Sequence, residues 1–372
     1  MYQKNVKESN ESKVFEYIFN SKNNFVINEI ADKLDMSFPT AKRVLMYFLD
    51  KNIIAEEDKV GHGVGRKARE YSFNKSFCYS LGVQITEKTM KMVLVNAKGT
   101  IVKTHPDKRI KNESNIVDEL IVNIESFLNK LSKDMKKKTI GIGIAIPGIV
   151  NYEEGFMEST LNHKIDIVEV NKIKNYFKIP VLVENESNLS SVAEAFLGEN
   201  FGVSNFTTLT INNYVGTSFF QRDKDQIEFH FKAGKMHNMI INADNKKQCW
   251  GEYISNSALQ NTFKKHFTGI KKYEDIFNEE NLKTKDGKDI LNDYIKYLAV
   301  GIKNILFFSN PEKVIISGMI CKYQEFIKEK LLNEIYVEDI FFRGKETIVF
   351  SPFNENSSLI GAAIFPVIDA YF

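Results

Sequence analysis

Hydrophobic positions change period along this chain, and the changes mark out its parts. Within FVINEIADKLDMSFPTAKRVLMYFLDK, from Phe25 to Lys51, apolar residues fall at Ile27, Ile30, Ala31 and Leu34, the i, i+3, i+4, i+7 stripe of a short amphipathic helix. Asp35 and Met36 carry a turn. Ser37 is an N-cap for a second helix, with Pro39 in the first turn, where a missing N–H costs nothing. Val44, Leu45, Phe48 and Leu49 give that helix an inward face and leave Thr40, Lys42, Arg43 and Tyr47 outward. Ile53, Ile54 and Ala55 then read as a short strand, GHGVGRKARE (61–70) as a glycine-rich hairpin tip, and Tyr71 and Phe73 as the returning strand. Helix, turn, helix and hairpin together predict a winged helix-turn-helix over residues 1–76.

Beyond it the pattern becomes strand-like. YSLGVQIT and KMVLVNAKGTIVKTH are joined by a turn at Asn96–Gly99. A helix over 116–131 leads to the buried strand TIGIGIAIPG, and a helix over 168–177 leads to VLVEN. A second set of the same kind begins at FTTLTINNYVGTSFF and closes with a helix (292–308), the strand KVIISG, a helix (323–332) and the strand TIVFSP. Two such βββαβα halves facing each other across a cleft describe the actin-like ATPase architecture. The expected division is a first lobe over 77–184, a second over 185–355, and a last helix, 356–372, packing back on the first lobe. The aromatic segments FFSNP and DIFF read as core at helix and strand spacing.

Composition narrows the partners. At 372 residues with 43% hydrophobic and 26% charged content, the chain is long enough for a small domain and two larger ones with cores of their own. No apolar run approaches a membrane span and the opening MYQKNVKESNESK is polar, which predicts no membrane segment, no secretory leader and a cytoplasmic location. Cys78, Cys249 and Cys321, odd in number and without paired spacing, fit a reducing compartment. With 50 Lys+Arg against 48 Asp+Glu, attraction to nucleic acid has to be local. It is: from Lys59 to Lys75 five basic residues (Lys59, Arg66, Lys67, Arg69, Lys75) face one acidic residue, Glu70. A recognition helix entering the major groove brings Ser37, Phe38, Thr40, Lys42 and Arg43 to phosphates and base edges, and a wing brings Arg66, Lys67 and Arg69 to the backbone or minor groove. Winged helices also dock proteins, but here recognition-helix and wing charges coincide, so double-stranded operator DNA is the expected partner. A single head buries little DNA, which predicts a homodimer or higher homo-oligomer on a palindrome.

The winged helix followed by LGVQIT, GIGIAIPGIV, VENESNLSSVAEA, LTINNYVGTSFF, AGKMHNM, CWGEYIS, NPEKVIISG and SSLIGAAI resembles the ROK family of repressors and sugar kinases, and specifically its repressor branch, which includes xylose and N-acetylglucosamine repressors. The resemblance runs from about Val14 to Ala363. It implies an α/β chain: an N-terminal winged helix-turn-helix followed by a two-lobed actin-like (ROK) body. Kinases of the family open with Asp-x-Gly-Gly-Thr, whose glycines admit phosphate. This chain has Gln84-Ile85-Thr86-Glu87-Lys88, with a side chain at each glycine position and a carboxylate that repels phosphate. The second phosphate loop has become Asn212-Asn213-Tyr214-Val215-Gly216-Thr217-Ser218, and the adenosine-side glycines are reduced to Ser317-Gly318-Met319. Phosphoryl transfer is therefore not expected, and neither is a cofactor.

On the sugar side the family's Asn-Asp pair reads Asn185-Glu186. Glu186 is either a hydroxyl acceptor at the cleft floor or a surface residue at a strand end. Asn162 falls where the family has the asparagine of a Pro-Asn loop, and an amide both donates to and accepts from hydroxyls. The Glu-x-Gly-His segment reads Lys235-Met236-His237-Asn238 and the Cys-Leu-Glu segment reads Cys249-Trp250-Gly251. A cation at Lys235 either favours an acidic or phosphorylated ligand or pairs with Glu186 in an empty cleft. The resemblance thus implies effector contacts at Asn162, Asn185, Glu186, Lys235 and Asn238, with a sugar, sugar phosphate or sugar acid as ligand. The family's zinc site uses one histidine and three cysteines; Asn238 and a lone Cys249 cannot build it, so no metal is expected. The leading expectation is a kinase-dead, effector-controlled repressor of carbohydrate genes, with a ROK sugar kinase and a constitutive DNA-binding protein as the alternatives.

Overall fold

The chain begins with a helix that its polar opening does not announce. In the computed structural model, which describes residues 2–57, 69–86, 89–110, 116–151, 156–158, 167–199, 202–222, 229–242, 248–336 and 344–372, α1 spans Tyr2–Asn20. Its last turns bury Val14, Phe15, Ile18 and Phe19, an i, i+1, i+4, i+5 stripe. The two predicted helices follow as α2 (Ile27–Lys33) and α3 (Phe38–Asp50), separated by Asp35 in the left-handed region at φ 48°. Ile30 and Ala31 of α2 pack with Ala41, Val44, Leu45 and Phe48 of α3. β1 (Ile54–Glu57) pairs antiparallel with β2 (Glu70–Phe73), from Ile54 opposite Phe73 to Glu57 opposite Glu70. Phe25 and Tyr71 exchange backbone hydrogen bonds at 2.9 Å, tying the strand pair to the start of the helical hairpin.

The body is built twice on one plan. In the first lobe β3 (Tyr79–Ile85), β4 (Thr89–Asn96) and β5 (Ile101–Arg109) form a meander. Helices α4 (Ile116–Asn129) and α5 (Lys133–Lys138) lead to β6 (Thr139–Ile146). Three short strands, β7 (Ile149–Asn151), β8 (Phe156–Glu158) and β9 (Ile167–Glu169), make a small antiparallel sheet before α6 (Val170–Tyr176) and β10 (Val181–Asn185). The sheet order is β10-β6-β3-β4-β5, with β3, β6 and β10 parallel. α7 (Glu186–Phe196), buried from Ser187 onward, then crosses to the second lobe.

There β11 (Asn205–Ile211), β12 (Val215–Arg222) and β13 (Phe229–Gly234) repeat the meander. They are followed by the hairpin β14 (Ile240–Asn242) and β15 (Gln248–Cys249), and by α8 (Gly251–Ile254), α9 (Asn256–His266), α10 (Glu279–Lys283) and α11 (Lys285–Ser309). β16 (Lys313–Gly318), α12 (Gln324–Tyr336), β17 (Ile348–Phe350) and α13 (Ser357–Tyr371) complete the chain. The order β13-β12-β11-β16-β17, with β11, β16 and β17 parallel, is the same topology as the first sheet.

α13 lies on β3 and β6 and crosses α7. Two glycines permit that approach: a Cβ on Gly82 would stand 2.5 Å from the Ala363 Cβ, and one on Gly143 only 1.9 Å from the Ala362 carbonyl oxygen. The glycines of LGVQIT and GIGIAIPG are thus packing devices, where helix and sheet backbones nearly touch. Among the described residues no helix is long and apolar enough to cross a membrane.

The aromatic pair of FFSNP departs from the core reading. Phe307 is 51% and Phe308 83% exposed, because α11 buries Leu298, Ile302, Ile305 and Leu306 and its last turn carries the two rings to the other side. The DIFF segment lies outside the described residues.

Candidate nucleic-acid interface and ligand cleft

The recognition helix is set by its cap. Ser37 Oγ accepts from the Thr40 backbone N–H at 3.3 Å and exchanges a hydrogen bond with the Thr40 hydroxyl at 2.9 Å. This fixes the N-terminal turn and satisfies a donor that the helix cannot. With Ala41, Val44, Leu45 and Phe48 buried, the opposite face is forced outward: Ser37, Phe38, Lys42 and Arg43 are exposed and Thr40 half-buried. Phe38 at 47% and Tyr47 at 40% exposure add aromatic surface to two cations. Such a face offers hydroxyl donors, cations and apolar contacts side by side, the set that phosphates, base edges and thymine methyls require.

The wing is described in part. Arg69 is exposed and its Nη1 lies 3.3 Å from a carboxylate oxygen of Glu56 on the facing strand, so its charge is shared across the hairpin rather than free. Arg66 and Lys67 lie outside the described residues, as does Asn162 in the body.

Between the lobes is a cleft of about 270 Å³. Its first-lobe wall carries Gln84, Thr89 and Lys91; its second-lobe wall carries Asn212, Asn213, Tyr214, Asn256 and Met319, with Glu355 from the segment before α13. Side chains occupy the ground where the family's phosphate loops have glycines. Gly318 sits at φ 110° and a Cβ there would lie 2.0 Å from the Ile211 carbonyl oxygen, so the glycine serves a backbone crossing, while Met319 next to it lines the cleft.

Glu186 opens α7 and lines the cleft, and its carboxylate makes no hydrogen bond or ion pair to another described residue. Burial pushes its pKa up to about 7. The neighbouring Asn185 is differently employed. Its Oδ1 accepts from the Ser187 and Asn188 N–H groups at 2.8 and 3.4 Å, and its amide donates to the Gly148 carbonyl at 2.6 Å. Asn185 is the N-cap of α7, with little hydrogen-bonding capacity left for a ligand.

Lys235 and Asn238 stand at either end of an exposed single turn after β13, and neither lines the cleft. Lys235 forms no ion pair with Glu186. The turn is held outward because Met236, between them, packs into the second-lobe core, which fixes its two ends toward solvent. His237 is half-buried there, its pKa lowered by burial and by the Lys235 charge. Trp250 is wholly buried, pressed against the α11 backbone at Gly301, and donates its indole N–H to the Tyr297 carbonyl at 2.8 Å. Among the described residues no cluster of three histidine, cysteine or carboxylate side chains could hold a metal ion.

Two further residues stand in the cleft. Asn256 and Glu355 each keep a buried oxygen (Oδ1 and Oε2) with no hydrogen-bond partner, while the other carboxylate oxygen of Glu355 is held by Lys322. No local motif marks either; they reach the cleft from the starts of α9 and the last segment of the chain.

A two-lobed body of this topology with a winged helix in front defines the class. The chain belongs to the ROK family, whose sequence model matches residues 80–366. It is 25% identical to the xylose repressor of Bacillus subtilis (strain 168) over 280 residues, 73% of this chain and 72% of that protein. The xylose repressor of Staphylococcus xylosus is 24% identical, with 83% of this chain and 82% of that protein covered. A glucokinase from Halalkalibacterium halodurans is also 24% identical, over 65% of this chain. Among solved structures, a ROK family transcriptional regulator, a homologue of the E. coli MLC protein, superimposes with a TM-score of 0.80 at 18% identity, covering 98% of each chain. A ROK family glucokinase from Streptomyces griseus, in complex with glucose and AMPPNP, gives 0.63 at 16% identity and covers 77% of this chain and 98% of its own.

Proposed function

We propose that this chain is a sequence-specific DNA-binding transcriptional repressor of carbohydrate-utilisation genes, without kinase activity, working as a homodimer or higher homo-oligomer. One observation carries the reading. Ser37, Phe38, Thr40, Lys42 and Arg43 share the outward side of a capped helix whose inner side is buried in a winged helix. The xylose repressors among its relatives support the carbohydrate assignment, and a head contributed by each subunit would read a two-fold operator. Selection of duplexes from a random pool by the full chain, followed by footprinting, is the test; enrichment of a palindrome is the expected result, and absence of any enriched sequence would refute the reading.

The effector class that suits the cleft is a neutral, hydroxyl-rich molecule such as a sugar. Glu186, Glu355 and Asn256 offer acceptors, while Lys91 is turned toward Asp107 at 4.0 Å. With Lys235 outside the cleft, the charge argument for a sugar phosphate or sugar acid has no support. The rival reading, a sugar kinase, draws on the glucokinase relatives. Thr86, Asn212, Tyr214 and Met319 in the cleft oppose it, because they stand where the kinases have glycines that admit phosphate, and Gln84 stands where they have the aspartate. ATP-dependent phosphorylation of glucose at steady state would favour the kinase.

A further inference from the structure

The reading head is gripped from several sides, and the grips belong to different parts of the body. Contacts from both lobes and from the end of α13 reach α1 between Phe15 and Phe19. From the first lobe, Lys98 in the β4–β5 turn places its ammonium 4.9 Å from the Phe19 ring centre and 4.8 Å from that of Phe73 at the wing base. The adjoining Ala97 N–H donates to the Lys75 carbonyl at 3.0 Å. From the second lobe, Arg222, the last residue of β12, reaches the Glu16 carboxylate at 2.5 Å, and these side chains are only 18% and 20% exposed. From the end of α13, Tyr371 stacks on Phe15 at 4.7 Å and Phe372 meets Phe19 at 5.3 Å. Finally α7, which starts at the cleft with Glu186, ends at Phe196, whose ring lies 4.9 Å from Phe372.

Both lobe contacts come from stiff supports. β4 is hydrogen-bonded on both sides by β3 and β5, and β12 by β11 and β13, so neither Lys98 nor Arg222 can shift far without its sheet. The half-buried pair is also less screened by salt than a surface pair. Packed interiors pass displacement on rather than absorb it.

We propose that α1 is a clasp held by both lobes. A change in the angle between the lobes is delivered to the head as a displacement of α1, with Arg222–Glu16 positioning it on the second lobe and Lys98 on the first. The consequence at DNA rests on the repressor reading; the mechanical statement does not.

The test uses the full chain with Cys249→Ser and pairs of spin labels: Lys22→Cys with Lys285→Cys for the distance from head to second lobe, and Lys22→Cys with Lys137→Cys for that from head to first lobe. Arg222→Ala and Glu16→Ala broaden the first distribution and leave the second narrow, and Lys98→Ala does the opposite. Combining Glu16→Arg with Arg222→Glu restores the narrow distribution. Unchanged distributions in every single variant, or broadening of both distances alike, would overturn the clasp. In a second arm, binding to a duplex selected from a random pool by the unaltered protein falls about fivefold or more in Arg222→Ala and recovers in the charge swap. Failure to select any duplex would count against the repressor reading while leaving the distance result to decide the clasp.

Discussion

The reading head and the cleft assemble their working surfaces in opposite ways. In the head, Ser37 to Arg43 lie on one helix, and a single cap and a single buried stripe set where all of them point. In the cleft, Gln84, Glu186, Asn213, Asn256 and Glu355 come from five separate places in the chain, and each is aimed by a different element. A surface written on one helix stands or falls as a unit. A surface gathered from many elements can change piece by piece while the fold persists, because the glycines that the fold needs, Gly82 and Gly143, face α13 rather than the cleft. The phosphate-loop positions divide in the same way: Gly216 and Gly318 remain where a Cβ would meet Ser187 or the Ile211 carbonyl, while Thr86, Asn212, Tyr214 and Met319 line the cleft, where side chains could replace glycines without disturbing either sheet.

The sharpest way to break this contrast is at the junction, where the head ceases to be independent. Phe15 is wholly buried against Phe48, Phe73 and Tyr371. Phe15→Ala is expected to cost about 3–5 kcal/mol and to separate head and body melting in calorimetry. A single unshifted transition would mean the cluster does not bind the two parts.

Within the head, Lys42→Ala or Arg43→Ala should weaken a selected operator by roughly 1–3 kcal/mol each, with no change in thermal stability. Unchanged affinity in a gel-shift titration at fixed salt would remove α3 from the groove. Ser37→Ala should cost about 1 kcal/mol of head stability, since the Thr40 N–H loses its partner, whereas Ser37→Asp should retain it; equal losses for both would disprove the capping role.

In the cleft, the expected signal is a pH dependence. Glu186 has a folded pKa of about 7 against an ordinary 4.5, so the folded chain binds more protons than the unfolded chain between those values. Stability therefore falls as pH rises from about 4.5 toward 7, and Glu186→Gln flattens that segment of the profile. An identical profile in the variant would show the carboxylate to be solvated. The smallest effect belongs to Arg69, paired with Glu56 on the surface. Arg69→Ala should change affinity by less than about 1 kcal/mol, while replacing Arg66, Lys67 and Arg69 together should flatten the salt dependence of binding by about one unit per lost phosphate contact.

The sequence by itself determined the head, the two βββαβα halves and the loss of the phosphate-loop glycines. Each of these is local: a 3.6-residue stripe, an alternation, a capping serine or a missing glycine can be read within a few neighbours. Even α1 left a local trace in the apolar spacing of Val14, Phe15, Ile18 and Phe19, beneath the polar residues that precede it. What only the tertiary structure decided is every partnership between distant residues. Asn185 became the cap of α7 because β10 ends where that helix needs an acceptor. Lys235 was carried out of the cleft by the anchoring of Met236, while Asn256 and Glu355 entered it. Phe15 found Tyr371 only because α13 runs across the first sheet and its end meets α1. Sequence spacing constrains which side of an element a residue occupies; which elements meet is fixed by how two twisted sheets and the helices between them fill space, and no local pattern encodes that.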